Sequence, residues 1–248
     1  MKMGNSTFLS EKLESIFRQR QERRLASAKH KRYGALRAGD GDWDSGRNGI
    51  CHQGRWDLPL YYCVFEQNPQ RQYVCHATSR DLDSWTKHEE ETFGPDETIY
   101  LPTDWRDPYV FWNEEENCWW MLLCAQSQGK TGRRGCVGLC KSADLHHWEC
   151  CEPLYAPHAS MSAYECPDMF YENGWWYLIF SQFTDRFQTI YRMSRSCHGP
   201  WKRPKTDSFD GRAFYAAKSC GDGNTGICSA GIRQGHRTPG ISTRIRTT

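Results

Sequence analysis

Two acidic residues in matching settings suggest chemistry. Asp107 lies in Trp105-Arg106-Asp107-Pro108, ahead of the apolar run Tyr109-Val110-Phe111-Trp112, and Glu165 lies in Tyr164-Glu165-Cys166-Pro167-Asp168. Proline has no N–H to give to a β-ladder, so each Pro marks the first position of a strand and each acid sits at a strand mouth. The guanidinium of Arg106 beside Asp107 favours its ionised form. On this reading Glu165 takes the Asp107 role in a second copy of the arrangement. Two carboxylates held at one mouth are what cleavage of a glycosidic bond requires.

Acids this far apart in sequence meet only if a repeating architecture brings them together. The segment Ser79-Arg80-Asp81-Leu82-Asp83-Ser84-Trp85 recurs as Ser142-Ala143-Asp144-Leu145-His146-His147-Trp148, and more loosely as Ser194-Arg195-Ser196-Cys197-His198-Gly199-Pro200-Trp201. Between the copies run short apolar stretches separated by turns: 49–51, 58–65 and 73–77, then 109–112, 119–125 and 135–140, then 169–171, 175–181 and 189–193. Three or four strands per repeat of roughly 50 residues, with a Trp at each close, predict β-propeller blades. Each blade buries a face it cannot bury alone, so neighbours must stack, and Trp85, Trp148 and Trp201 are packing residues. The first strand of every blade lines the central channel. Asp107, Glu165 and Asp210, the last at the head of a fourth repeat beginning at 209, are therefore expected to converge at one end of it.

Composition narrows the alternatives. A net charge of +2 gives no general attraction to nucleic acid. The 11 Trp, 12 Tyr and 11 Phe suit β-structure and stacking on sugar rings. Thirteen cysteines include no Cys-x-x-Cys pair, so no metal site is expected; Cys63, Cys75 and Cys124 sit in apolar runs as small buried hydrophobes. No stretch is long enough to span a membrane, and residues 1–10 lack the apolar core of a secretory signal, which makes a cytoplasmic location the expectation. Residues 1–32 form a basic segment, helical or disordered, whose apolar stripe of Leu9, Leu13, Ile16 and Phe17 is too short to argue for nucleic-acid binding. Residues 33–218 form the propeller, and the Gly-, Arg- and Thr-rich stretch 219–248 reads as a disordered tail.

These motifs, in this order, resemble the catalytic domain of glycoside hydrolase family 32, the invertase, levanase and inulinase group, which is related to family 43. Trp105-Arg106-Asp107-Pro108 matches the family's Arg-Asp-Pro motif, and Tyr164-Glu165-Cys166-Pro167-Asp168 its Glu-Cys motif. His76-Ala77-Thr78-Ser79, with Asp81, Leu82 and Trp85, matches a blade-closing segment. The resemblance implies an all-β, five-bladed propeller, incomplete here, with about three full blades and part of another. It also implies hydrolysis of fructans or sucrose-like sugars by a retaining two-carboxylate mechanism. Glu165 would be the general acid/base, its pKa raised by burial, and Asp107 the transition-state stabiliser. Arg106, Trp105, Asp44, Asp168 and Arg212 would contact the sugar. A carbohydrate substrate is the partner implied, with no cofactor, no metal, no nucleic acid and no membrane. The resemblance implies a nucleophile that is an Asp of the first blade, in an Asn-Asp-Pro-Asn-Gly setting or, in a related bacterial group, a Gly-Asp one; residues 1–32 do not supply that blade, and Asp40, Asp42 and Asp44 match the segment leading into the second blade. Two alternatives stand beside this reading: an arabinosidase or xylosidase of the family 43 type, and a carbohydrate-binding propeller without catalysis.

Overall fold

A computed structural model of the protein describes residues 58–129, 132–208, 214–221, 227–233 and 243–244. The basic segment 1–32, the acids at 40, 42 and 44, and Asp210 and Arg212 lie outside the described residues. Among those described, every regular element is a strand, and no helix is long and apolar enough to cross a membrane.

Among the described residues, thirteen strands form four antiparallel sheets that follow one another along the chain. The first holds β1 (Leu58–Gln67), β2 (Gln70–Ser79) and β3 (Thr86–Phe93). The second holds β4 (Tyr100–Asn113), β5 (Cys118–Ser127), β6 (Gly135–Ser142) and β7 (Glu149–Tyr155). The third holds β8 (Tyr164–Glu172), β9 (Trp175–Gln182) and β10 (Gln188–Ser194), extended by single bridges from Ile190 to Ser208 and from Met193 to Lys202. The fourth holds β11 (Phe214–Gly221), β12 (Ile227–Arg233) and β13 (Thr243–Arg244). The leading strands meet in sequence: β1 packs on β4, β4 on β8 and β8 on β11. The sheets therefore fan out from a shared inner edge, as blades of a partial β-propeller.

The structure revises three boundaries. β3 and β7 extend the blades past their closing Trp, in stretches such as Thr86-Lys87-His88-Glu89-Glu90-Glu91 that carry too much charge to be read as strands. These are outer strands, half wetted, where a polar residue costs little. The leading strand of the second blade starts at Tyr100, well before Asp107. Finally, Ile227–Arg233 pairs antiparallel with β11, so the stretch from 219 onward is not wholly a disordered tail. Backbone hydrogen bonding completes a sheet there without any help from side-chain periodicity.

Two apolar seams hold the blades together. Between the first and second sheets, Tyr61 and Val74 pack with Tyr100, Trp105, Met121 and Leu123. Between the second and third, Tyr109, Trp120 and Leu122 pack with Tyr164, Leu178 and Phe180. Trp148 packs into the first seam and Trp201 into the second, so each closing Trp seals its blade to the one before. Trp85 occupies the matching place on the first sheet, against Tyr62, Cys75 and Ala77.

The closing motif is a pair of nested turns. Ser79 Oγ accepts from the N–H groups of Asp81 (3.3 Å) and Leu82 (2.8 Å), and Asp81 Oδ1 from those of Asp83 (2.8 Å) and Ser84 (2.7 Å). Ser142 and Asp144 repeat this bonding with Asp144, Leu145, His146 and His147. Leu82 (φ 64°) and Leu145 (φ 70°) take the left-handed backbone that the turn requires. The N–H groups of Ser84 and Asp83 pull the Asp81 carboxyl down to about 2.

Candidate active site

One backbone device recurs on three consecutive inner strands. The ladder slips between Arg106 and Tyr109 in β4, between Glu165 and Asp168 in β8, and between Tyr215 and Lys218 in β11. Within these bulges Asp107 (φ 57°), Cys166 (φ 50°) and Ala216 (φ 56°) are left-handed. Pro108 and Pro167 therefore sit inside their strands instead of starting them, because a bulge lifts the residue out of the ladder and no N–H is missed. The bulges align Arg106 with Glu165 and Tyr215, Asp107 with Cys166 and Ala216, and Tyr109 with Asp168 and Lys218. Glu165 is thus the counterpart of Arg106 and not, as expected, of Asp107. The offset shows in the sequence: Glu165 stands two residues before its Pro, and Asp107 stands one before.

The residues of the first set touch one another. Arg106 Nη2 donates to Glu165 Oε1 at 2.8 Å, its Nη1 donates to Asp104, and the Tyr215 hydroxyl donates to Glu165 Oε2. Gln126 Nε2 donates to the other oxygen of Asp104 at 2.7 Å. The side chains of Arg106, Glu165 and Asp104 keep 23%, 24% and 20% of their surface exposed, enough for a ligand to reach them. Burial, and then the bond to Glu165, push the Tyr215 phenol up, so it holds its proton and acts as the donor.

Deeper contacts tie the blades together. Asp107 Oδ2 accepts from the Cys166 N–H at 2.9 Å and from its thiol at 3.6 Å, while the Arg106 guanidinium turns to Asp104 and Glu165. The Arg106 guanidinium bonds to Asp104 and Glu165 while Asp107 meets Cys166, because adjacent residues at a bulge point in different directions. Burial, and then the charge of Asp107, raise the Cys166 thiol to about 12, so it is no thiolate nucleophile near neutral pH. The Ala216 N–H finds Ser181 Oγ at 2.8 Å on the preceding blade. Asp168 accepts from the Ser219 hydroxyl at 2.7 Å and from the Ser219 N–H. Lys218 Nζ donates to the Pro167 carbonyl at 2.8 Å and lies 5.1 Å from the Tyr109 ring centre.

Of the residues expected at the site, Glu165, Asp107 and Arg106 are brought together on the inner edge. Trp105 is 0% exposed and packs beside Tyr100, so its ring has no face to offer a sugar. Asp168 is likewise fully buried and braces β8 to β11. Asp44 and Arg212 lie outside the described residues. Sequence reasoning missed Asp104, Tyr215 and an aromatic wall beside them. The Phe187 ring centre lies 5.7 Å from that of Tyr215, and Phe183, 58% exposed, lies 4.5 Å from Phe187. Tyr215-Ala216-Ala217-Lys218 lacks the Pro that flagged the other two bulges, although Asp104, two residues before Arg106, could have been found from strand periodicity.

An all-β fan of blades is a β-propeller architecture, and paired carboxylates are what glycoside hydrolysis uses. The sequence profile described as "Glycosyl hydrolases family 32 N-terminal domain" matches residues 45–232, and the chain belongs to that family. The levanbiose-producing levanase of Bacillus subtilis (strain 168) is 29% identical over 119 residues, covering 46% of this chain and 19% of the levanase. The sucrose-6-phosphate hydrolase of Escherichia coli is 29% identical over 167 residues, covering 60% of this chain and 32% of the hydrolase. Among solved structures, a family 32 β-fructofuranosidase of Bombyx mori in complex with sucrose superposes with a TM-score of 0.57 at 22% identity, over 77% of this chain and 45% of the other; this likeness is one of fold. The chain spans about a fifth to a third of the length of the curated relatives it matches.

Proposed function

We propose that this chain hydrolyses the O-glycosidic bonds of β-fructosides, fructans or sucrose-like sugars, with Glu165 as general acid and then base. The observation that carries this is Glu165 held at a solvent-accessible inner edge, between Arg106 and Tyr215, in a domain of family 32. Glu165 would protonate the leaving oxygen and afterwards take a proton from the attacking water. Asp107, across the bulge, would stabilise positive charge growing at the anomeric carbon. Arg106 would position Glu165, and the Phe183–Phe187 wall would offer a flat apolar face to a sugar ring. A retaining reaction also needs a second carboxyl about 5–5.5 Å from the first as nucleophile. No described residue stands in the Asn-Asp-Pro-Asn-Gly setting in which the family carries it.

A second reading, sugar binding without turnover, is favoured by one feature: both Glu165 oxygens already accept from protein donors. Each oxygen keeps a lone pair that a ligand could meet, but the two donors already hold the carboxylate in place. The test is to incubate the purified chain with levan, inulin and sucrose and to measure fructose release and sugar binding. The first reading expects fructose release that Glu165→Gln abolishes. Saturable binding without fructose release, surviving Glu165→Gln, would establish the second reading in its place.

A further inference from the structure

The geometry points to a binding site for a divalent transition-metal ion of the zinc class, formed by His76, Glu91 and His146 where the first blade meets the closing turn of the second. Their candidate ligand atoms all lie within 4.8 Å of one another. His76 comes from β2, Glu91 from β3, and His146 from the turn after β6, so the cluster joins two blades. It uses none of the residues of the candidate active site. One oxygen of Glu91 meets His76 Nδ1, and the other lies 2.8 Å from His146 Nδ1. Two imidazoles and a carboxylate are the donors that zinc and its neighbours prefer; calcium and magnesium take oxygen almost exclusively. Three protein ligands would leave a fourth position for water.

Two further observations favour a ligand here. His76 is 3% exposed, so its Nδ1 and the Glu91 oxygen it meets are shielded from competing water. The surroundings also hold the ligands rigidly. Tyr61 stacks on the His76 ring at 4.7 Å and 8°, and its hydroxyl donates to the Leu145 carbonyl next to His146. One residue thus orients the His76 ring and anchors the turn that carries His146.

The next seam provides a contrast. His198, at the place of His146 in the third closing turn, meets Glu116 of the second blade. There the other Glu116 oxygen is engaged by Lys141 Nζ at 2.6 Å and Trp120 Nε1 at 3.0 Å. An ammonium already balances that acid, whereas the ion-pair partners of Glu91 are the two imidazoles. A metal ion at the first seam would do what Lys141 does at the second. Because it would bind the folded chain only, it would also stabilise the blade contact.

The experiment is to strip the full chain with a chelator, reload it with zinc, pass it through gel filtration, and measure bound metal and thermal unfolding. One zinc per chain is expected to be retained, with unfolding moved to higher temperature. Cobalt in its place should give a visible d–d spectrum without a thiolate charge-transfer band, which separates this site from the cysteines. His146→Ala, on a half-exposed turn residue, and the milder His146→Gln should each lose that equivalent while the circular dichroism stays unchanged; His147→Ala should keep it. No retained zinc, retention that survives both His146 variants, or a cobalt spectrum dominated by thiolate would overturn the assignment.

Discussion

At the inner edge of the sheets, Cys166 and Ala216 adopt left-handed backbone and send their N–H groups to Asp107 and Ser181 of the neighbouring blade. In the closing turns Leu82 and Leu145 are left-handed too, but the N–H groups there are taken up by Ser79, Asp81, Ser142 and Asp144 of the same turns. One device is satisfied by tertiary contacts, the other locally. The local one repeats its residues because the turn itself demands a hydroxyl and a carboxylate at fixed offsets. At the inner edge the demand is met from the preceding blade, which leaves the residue types free to differ from strand to strand. Arg106, Glu165 and Tyr215 can therefore stand at one aligned position and bond to one another.

This contrast can be broken at several points, and the largest effect is expected on turnover. Glu165→Gln should lower fructose release by about 10²–10⁴-fold with the unfolding midpoint nearly unchanged, since the amide keeps the shape and one acceptor. Trp105→Ala, one residue away from Arg106 but turned into the seam, should cost about 3–5 kcal/mol of stability in urea unfolding. Asp107→Ala leaves the Cys166 N–H without its acceptor in a buried place and should cost about 1–3 kcal/mol. Ser142→Ala removes acceptors from N–H groups in an outer turn that water can reach, and should cost about 1 kcal/mol or less. An equal loss in the last two variants would contradict the distinction between tertiary and local satisfaction. The smallest effect concerns acid. The Asp81 carboxyl is lowered to about 2 in the folded chain, so its contribution is complete above the ordinary carboxylate range. That contribution fades as pH falls toward 2, and Asp81→Asn should flatten the acid side of the stability-against-pH curve.

The histidine cluster shows why some features were not legible. Metal motifs are recognised by ligands at short spacing along one element, and His76, Glu91 and His146 come from two strands and a turn. The aligned Tyr215 was hidden for a related reason. Without a Pro, nothing local distinguishes Tyr215-Ala216 from any other strand pair, and only the slip in the β11–β12 ladder shows it.

The amino-acid order alone determined the blade repeat, the closing Trp residues and the two Pro-marked acidic motifs. Each of these rests on alternation or on turn chemistry that neighbouring residues enforce on one another. Tertiary structure decided which carboxylate Arg106 holds, that Trp105 and Asp168 are buried braces, and that Glu165 aligns with Arg106 and Tyr215. Those outcomes depend on how three bulged strands face each other across blade seams, and a bulge sets the direction of a side chain only once its partner strand is in place.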